Sequence, residues 1–136
     1  MADRLRVSVL ISGRGSNMVA IARACRDRDL AAEVTAVVSD RADAGGLALA
    51  RDLGIETCVV QPPRGMDRQD YGEVLGTVVE ATRPGLVVLA GFMRILDPAF
   101  TRRFDGRLFN IHPSLLPKYR GLHTHRRALE AGDGVH

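Results

Sequence analysis

Short apolar, β-branched runs alternate with helix-patterned segments from one end of the chain to the other, and no other feature of the sequence restricts the fold as much. Leu5-Arg-Val-Ser-Val-Leu-Ile11 reads as a strand that ends in a glycine turn, Ser12-Gly-Arg-Gly-Ser-Asn17. Met18, Ile21, Ala22 and Cys25 then fall on one helical face, with Ser16 or Asn17 placed to cap that helix. The pattern predicts a strand over 33–39, a helix over 44–53 capped by Asp43 and stopped at Gly54, and a strand over 56–60. Tyr71, Val74, Leu75, Val78 and Val79 mark a longer helix that ends before Pro84. Leu86-Val-Val-Leu-Ala90 is wholly apolar, which suits a central strand buried on both faces. A short helix over 97–103, with Asp97 as cap and Pro98 at its first position, a strand over 108–112 and a helix over 124–131 complete the order.

Such an order predicts an α/β fold, a doubly wound and mostly parallel sheet with helices on both faces. No repeat, low-complexity tract or linker divides the chain, and 136 residues amount to one domain with enough bulk for a hydrophobic core. In open sheets of this kind ligands sit beyond the carboxyl ends of the strands. Chemistry is therefore expected in the strand-exit segments 12–17, 91–97 and 110–121.

Composition removes several classes of function. With 46% hydrophobic and 26% charged residues the chain is too apolar for intrinsic disorder. The longest uncharged stretch near its middle, 84–93, is about half of the ~20 residues a membrane-spanning helix needs. Asp3, Arg4 and Arg6 precede only a short apolar run without a small-residue cleavage site, so no signal peptide is expected. Cys25 and Cys58 cannot by themselves build a disulfide framework or a four-ligand zinc site, and both read as core residues. A reducing cytoplasm is the expected setting. Of the 19 basic residues only Lys118 is a lysine, the arginines are scattered, and aromatics make up 4%. That argues against a nucleic-acid surface, while a net charge of +3 suits anionic small molecules.

Two segments carry candidate chemistry. The turn at Gly13-Arg-Gly-Ser-Asn17 offers backbone amides at a helix N-terminus, where Gly15, Ser16 and Asn17 could hold a phosphate. It reads equally as a tight structural turn. It lacks the lysine of a P-loop, and Met18 stands where a dinucleotide fingerprint has its third glycine. In Phe109-Asn-Ile-His-Pro-Ser-Leu-Leu-Pro117, Asn110 and His112 share one face of a strand near its carboxyl end, and Pro113 favours an extended backbone. An amide and an imidazolium mounted there could both donate to a developing oxyanion. A core histidine satisfied by backbone is the competing reading of His112. His123 and His125 read as capping or substrate contacts more than as metal ligands, since no acid or thiol lies nearby.

Three segments then agree. Ile11-Ser-Gly-Arg-Gly-Ser-Asn17, Ala90-Gly-Phe-Met-Arg-Ile-Leu96 and Asn110-Ile-His-Pro-Ser-Leu-Leu-Pro-Lys-Tyr119, in that order and at those strand exits, closely resemble the phosphoribosylglycinamide formyltransferases, folate-dependent enzymes of de novo purine synthesis. Gly121-Leu-His-Thr-His-Arg126 continues the match. The resemblance implies a Rossmann-like formyltransferase fold and transfer of a formyl group from 10-formyltetrahydrofolate to the amine of glycinamide ribonucleotide. It implies that Gly15, Ser16 and Asn17 hold the nucleotide phosphate. Met93, Arg94, Ile95 and Leu96 would line the pteridine pocket, partly through backbone, and Arg68 would lie toward the exposed end of the folate. Asn110 and His112 would be the catalytic pair. The implied partners are small molecules, with no metal, nucleic acid or membrane; a homodimer is an open option and the cytoplasm the implied location.

One departure stands against the match. The family carries a catalytic aspartate in a Leu-Asp-Gly-Gly-type loop, which is not reached before His136, and Asp133 lies in a different context. Residues 1–136 are therefore expected to be a single formyltransferase catalytic domain truncated at its C-terminus, with the C-terminal strands missing. The alternatives are a catalytically impaired nucleotide-binding module, or another formyl-folate enzyme such as methionyl-tRNA formyltransferase or formyltetrahydrofolate deformylase.

Overall fold

The computed structural model describes residues 4–111. In chain order it contains β1 (Leu5–Ile11), α1 (Ser16–Asp27), β2 (Ala32–Ser39), α2 (Gly45–Asp52), β3 (Glu56–Val59), α3 (Arg68–Ala81), β4 (Leu86–Ala90), α4 (Pro98–Arg103) and β5 (Leu108–Ile111). The strands form one five-stranded sheet in the order β3-β2-β1-β4-β5, and every pairing is parallel. The strand predicted over 108–112 is described as far as Ile111. His112 and the helix predicted over 124–131 lie outside the described residues.

Strand side chains alternate between faces, and each face has its own core. Val7, Val9 and Ile11 of β1 meet Met18 and Ala22 of α1 and Leu47 and Ala50 of α2. Leu10 of β1 and Val87 and Leu89 of β4 meet Tyr71, Leu75 and Val79 of α3 and Phe100 of α4. The doubly wound α/β arrangement is thus present, with α1 and α2 on one face and α3 and α4 on the other. Both faces of β4 are covered, which accounts for the wholly apolar run at Leu86–Ala90. In β2 the ladder slips at Thr35, because Val7 pairs with Val34 but Ser8 pairs with Ala36. That bulge lets Val34 and Val37, an odd number of residues apart, face the same core.

Two expected caps are replaced. Neither Ser16 nor Asn17 caps α1; Gly15 occupies the cap at φ 76, a left-handed conformation that favours glycine, and no side chain bonds there. Asp43 does not cap α2, whose cap residue is Ala44. Its carboxylate takes two hydrogen bonds from Arg41, at 3.0 and 3.1 Å, which hold the Asp43 carboxyl below the usual range. The N–H of Gly46 at the start of α2 donates instead to the carbonyl of Gly13, at 3.0 Å. A tertiary contact between the two helix starts thereby does the work of a local cap. The cap expected at Asp97 is present, its carboxylate accepting from the Ala99 amide at 2.8 Å with Pro98 leading the helix.

Candidate functional site

The carboxyl ends of β2, β1, β4 and β5 lie side by side in the sheet order, so the segments that follow them share one edge. Residues 12–17 leave β1, 91–97 leave β4, and Asn110 is the penultimate residue of β5. Hydrogen bonds join these exits directly. The buried hydroxyl of Ser12 accepts from the backbone N–H of Met93 at 2.8 Å, which links the glycine turn to the turn after β4.

In the glycine turn, the left-handed Gly15 starts α1. The first N–H groups of a helix have no acceptor within it, so the amides of Ser16 and Asn17 are unused by the helix itself. Gly15 packs against Gly46 so closely that a Cβ on Gly15 would stand 2.8 Å from the Gly46 Cα. The turn is therefore a backbone surface carrying donors and little side-chain bulk, the combination that an anion needs.

The turn after β4 presents two large apolar side chains to solvent: Met93 is 79% exposed and Ile95 72%. Leu96 packs inward against the α3–α4 core, as does Phe92. Arg94 turns away from that apolar surface. Its Nε donates to a carboxylate oxygen of Asp40 at 2.7 Å, and its guanidinium carbon lies 5.3 Å from the centre of the Tyr71 ring. The Tyr71 hydroxyl in turn donates to the carbonyl of Val60, just past β3, at 2.7 Å. Burial, reinforced by the charge of Asp40, pushes the Tyr71 hydroxyl up to about 12, so it stays a neutral donor at physiological pH. A chain of polar contacts thus ties the exits of four strands together. Tyr71→Phe removes the donor to a buried carbonyl and is expected to cost about 1–2 kcal/mol in urea denaturation.

Beside this chain of contacts lies an open recess of about 500 Å³, lined in part by Asp40, Asp43, Gln61, Pro62 and Arg94. Its arginines, Arg41 and Arg94, are each matched by an aspartate. Among the described residues the recess is electrically balanced.

Asn110 is exposed and pairs in register with Leu89. Aligned residues of neighbouring strands point to the same face, so the amide lies on the side where Phe92 and Leu96 pack. Arg68 is the first residue of α3, exposed, and one helical turn before Tyr71. Met93 to Leu96, the glycine turn and Asn110 are therefore brought to one edge of the sheet, with Arg68 on the helix end that approaches it. His112 lies outside the described residues, as do His123 and His125. Burial raises the pKa of both Cys25 and Cys58, which leaves these thiols protonated and unreactive at neutral pH.

Asp40 and Tyr71 lie outside the expected segments, and Ser12 lies inside one of them without an expected role of its own. The strand-exit rule that singles out 12–17 and 91–97 applies equally to Asp40, the residue after β2. Nothing local, however, marks Arg94 as its partner, since the two are 54 residues apart.

The parallel sheet, the glycine turn into α1 and the adjoining exit segments define a doubly wound α/β protein with its binding edge at the carboxyl ends of the central strands. Within that class the chain belongs to the formyl transferase family, whose model matches residues 5–136. It is 52% identical over 132 residues to the phosphoribosylglycinamide formyltransferase of Escherichia coli K12, covering 97% of this chain and 62% of that protein. It is 44% identical over 131 residues to the enzyme of the same name from Haemophilus influenzae, covering 96% of this chain and again 62% of the relative. The structure superposes on phosphoribosylglycinamide formyltransferase from Brucella melitensis with a TM-score of 0.77 at 44% identity, over 95% of this chain and 67% of the other. The chain thus spans less than two thirds of the length of the curated relatives it matches. The resemblance drawn from the three motifs and the family shown by these matches coincide. No helix among the described residues is long and apolar enough to cross a membrane.

Proposed function

We propose that this chain carries the nucleotide loop and part of the catalytic machinery of a glycinamide ribonucleotide formyltransferase, a cytoplasmic enzyme of de novo purine synthesis that uses 10-formyltetrahydrofolate. The observation that carries the reading is the hydrogen bond from Met93 to Ser12, because it sets the glycine turn and the Met93–Leu96 turn against each other at adjacent strand exits. A phosphate on the amides of Gly15, Ser16 and Asn17 and a folate ring against Met93–Leu96 would then lie toward the edge that Asn110 occupies, with His112 two residues on in sequence. The donor set fits a flat, partly apolar co-substrate. The Arg94 side chain is occupied by Asp40, so this turn offers the ring its main chain and the exposed Met93 and Ile95. Arg68, one turn before Tyr71, would meet the far end of such a ligand.

The reaction follows from that placement. The glycinamide amine attacks the formyl carbon, and the carbonyl electrons move to oxygen. The Asn110 amide and a protonated His112 donate to the resulting oxyanion. A proton passes from the attacking nitrogen to N10 of the folate, the C–N10 bond breaks, and tetrahydrofolate leaves with the formyl group now on the nucleotide. The step as drawn uses no metal ion.

The test is a formyl-transfer assay on the complete gene product with glycinamide ribonucleotide and 10-formyltetrahydrofolate, following tetrahydrofolate release. Release that depends on both substrates is the expected result. Binding of both ligands without release would reject the assignment.

A further inference from the structure

We propose that Asp40 is a positioning residue for the folate-facing turn, acting through Arg94. It stands immediately after β2, is 3% exposed, and offers one carboxylate oxygen to Arg94 Nε at 2.7 Å. The other oxygen is buried and has no hydrogen-bond partner among the described residues. A buried carboxylate is costly unless it is paired. Arg94 is the one side chain that hydrogen-bonds Asp40 among the described residues, so the pairing that offsets the buried charge is made with that guanidinium. The Tyr71 ring, held by its hydroxyl to Val60, limits where the guanidinium can go.

The consequence lies in the two neighbours of Arg94. Exposure alternates along this segment: Phe92 and Leu96 pack against the core while the residues on either side of Arg94 face solvent. Met93 and Ile95, the two most exposed large apolar residues described, flank Arg94 in just this way. Solvent exposure of two such side chains in a row is unfavourable unless they meet something else. Ser12 fixes the turn at Met93 N and Asp40 fixes it at Arg94, from the exits of two different strands. Two consecutive anchors leave the turn little freedom to fold its apolar side chains back onto the protein. The display of Met93 and Ile95 to the folate ring is therefore set by a carboxylate that does not touch the ring. The folate half of this inference rests on the proposed function; the anchoring half does not.

Asp40→Asn in the complete protein separates the two. The isosteric amide keeps the shape and loses the charge. Hydrogen exchange of the amides at Met93 to Leu96 is expected to rise at least about fivefold, the loss of one charge-assisted bond, while exchange in β1 and α1 is unchanged. Unchanged exchange at 93–96 overturns the anchoring claim, whatever the enzyme does. In the formyl-transfer assay, KM for 10-formyltetrahydrofolate is expected to rise about fivefold with kcat and KM for the nucleotide unaltered. Equal KM values in variant and parent, with exchange raised, would overturn the link to folate. Absence of transfer in the parent protein would instead reject the functional reading. Arg94→Gln supplies a second variant. Adding Asp40→Asn to it is expected to change KM no further and to restore stability, because the single Arg94 variant strands a buried charge. Additive KM effects would overturn action through Arg94.

Discussion

Asn110→Ala in the complete enzyme is expected to lower kcat by about 10²–10³-fold, the usual loss on removing one oxyanion donor. Dissociation constants for the nucleotide and the folate are expected to change by no more than about twofold, because the interaction belongs to the transition state. The size of the effect follows from where the residue sits. Asn110 is on a strand, one residue before the last described position of β5, and in register with Leu89 of the buried β4. Its backbone is therefore held by the ladder before substrate arrives, and a fixed mount is what an electrostatic donor needs. Its exposure leaves it open to the reacting group. Asn110→Asp sharpens the test. It preserves size and replaces a donor with a charged acceptor, so it should be slower than the alanine variant. Single-turnover measurements on both variants check the prediction. A kcat within about threefold of the parent would remove Asn110 from the reaction.

The second large effect falls on the glycine turn. Gly15→Ala is expected to destabilise the fold by roughly 2–5 kcal/mol in chemical denaturation, from two costs that add. The left-handed φ of 76 costs an L-residue roughly 1–2 kcal/mol. The new Cβ would stand 2.8 Å from the Gly46 Cα and 3.3 Å from Met18 Cε, and crowding of that kind costs roughly 1–3 kcal/mol. The methionine can move, but the Gly46 backbone starts α2 and donates to Gly13. Relief therefore has to come from separating the two helix starts, which displaces the amides of Ser16 and Asn17. Phosphate-dependent affinity for the nucleotide should fall with stability. Gly13 supplies the contrast within the same turn. A Cβ there meets nothing within 4 Å among the described residues, and its φ is not in the positive range. Gly13→Ala should lie within about 0.5 kcal/mol of the parent. Equal effects at the two glycines would show that the close approach of the helix starts does not matter.

The sequence disclosed this architecture wherever the determining interactions are local or periodic. The limits of β1 and β4 coincide with their apolar runs because each run is bounded by turn residues or by proline. The Asp97–Pro98 start of α4 is likewise a short-range device. The caps expected at Asp43 and at Ser16 or Asn17 are displaced for one shared reason. The two helix starts press on each other through Gly13, Gly15 and Gly46, and that contact takes over the capping, while Arg41 draws Asp43 away. The motif segments of the candidate site were legible as residues at strand exits. What binds them together was not, because Met93 reaches Ser12 across 81 residues and Arg94 reaches Asp40 across 54. Pairings at that range follow from strand order, and periodicity along the chain carries no information about them.

That strand order also sets a timetable. β1 is the middle strand of the sheet and pairs with β2 along one of its own edges and with β4 along the other. Its first neighbour is available early in synthesis, but its second arrives only after all of α3 has been made. Contacts between distant parts of a chain form late, because the intervening loop must be closed first. Until then one edge of β1 is unpaired, Ser12 has no Met93, and Asp40 has no Arg94. The turns that follow β1 and β4 are thus joined to each other only in this closing step of folding. A nascent chain halted before β4 would therefore possess the glycine turn, packed on the start of α2, without the segment at Met93 and Arg94 that is tied to it.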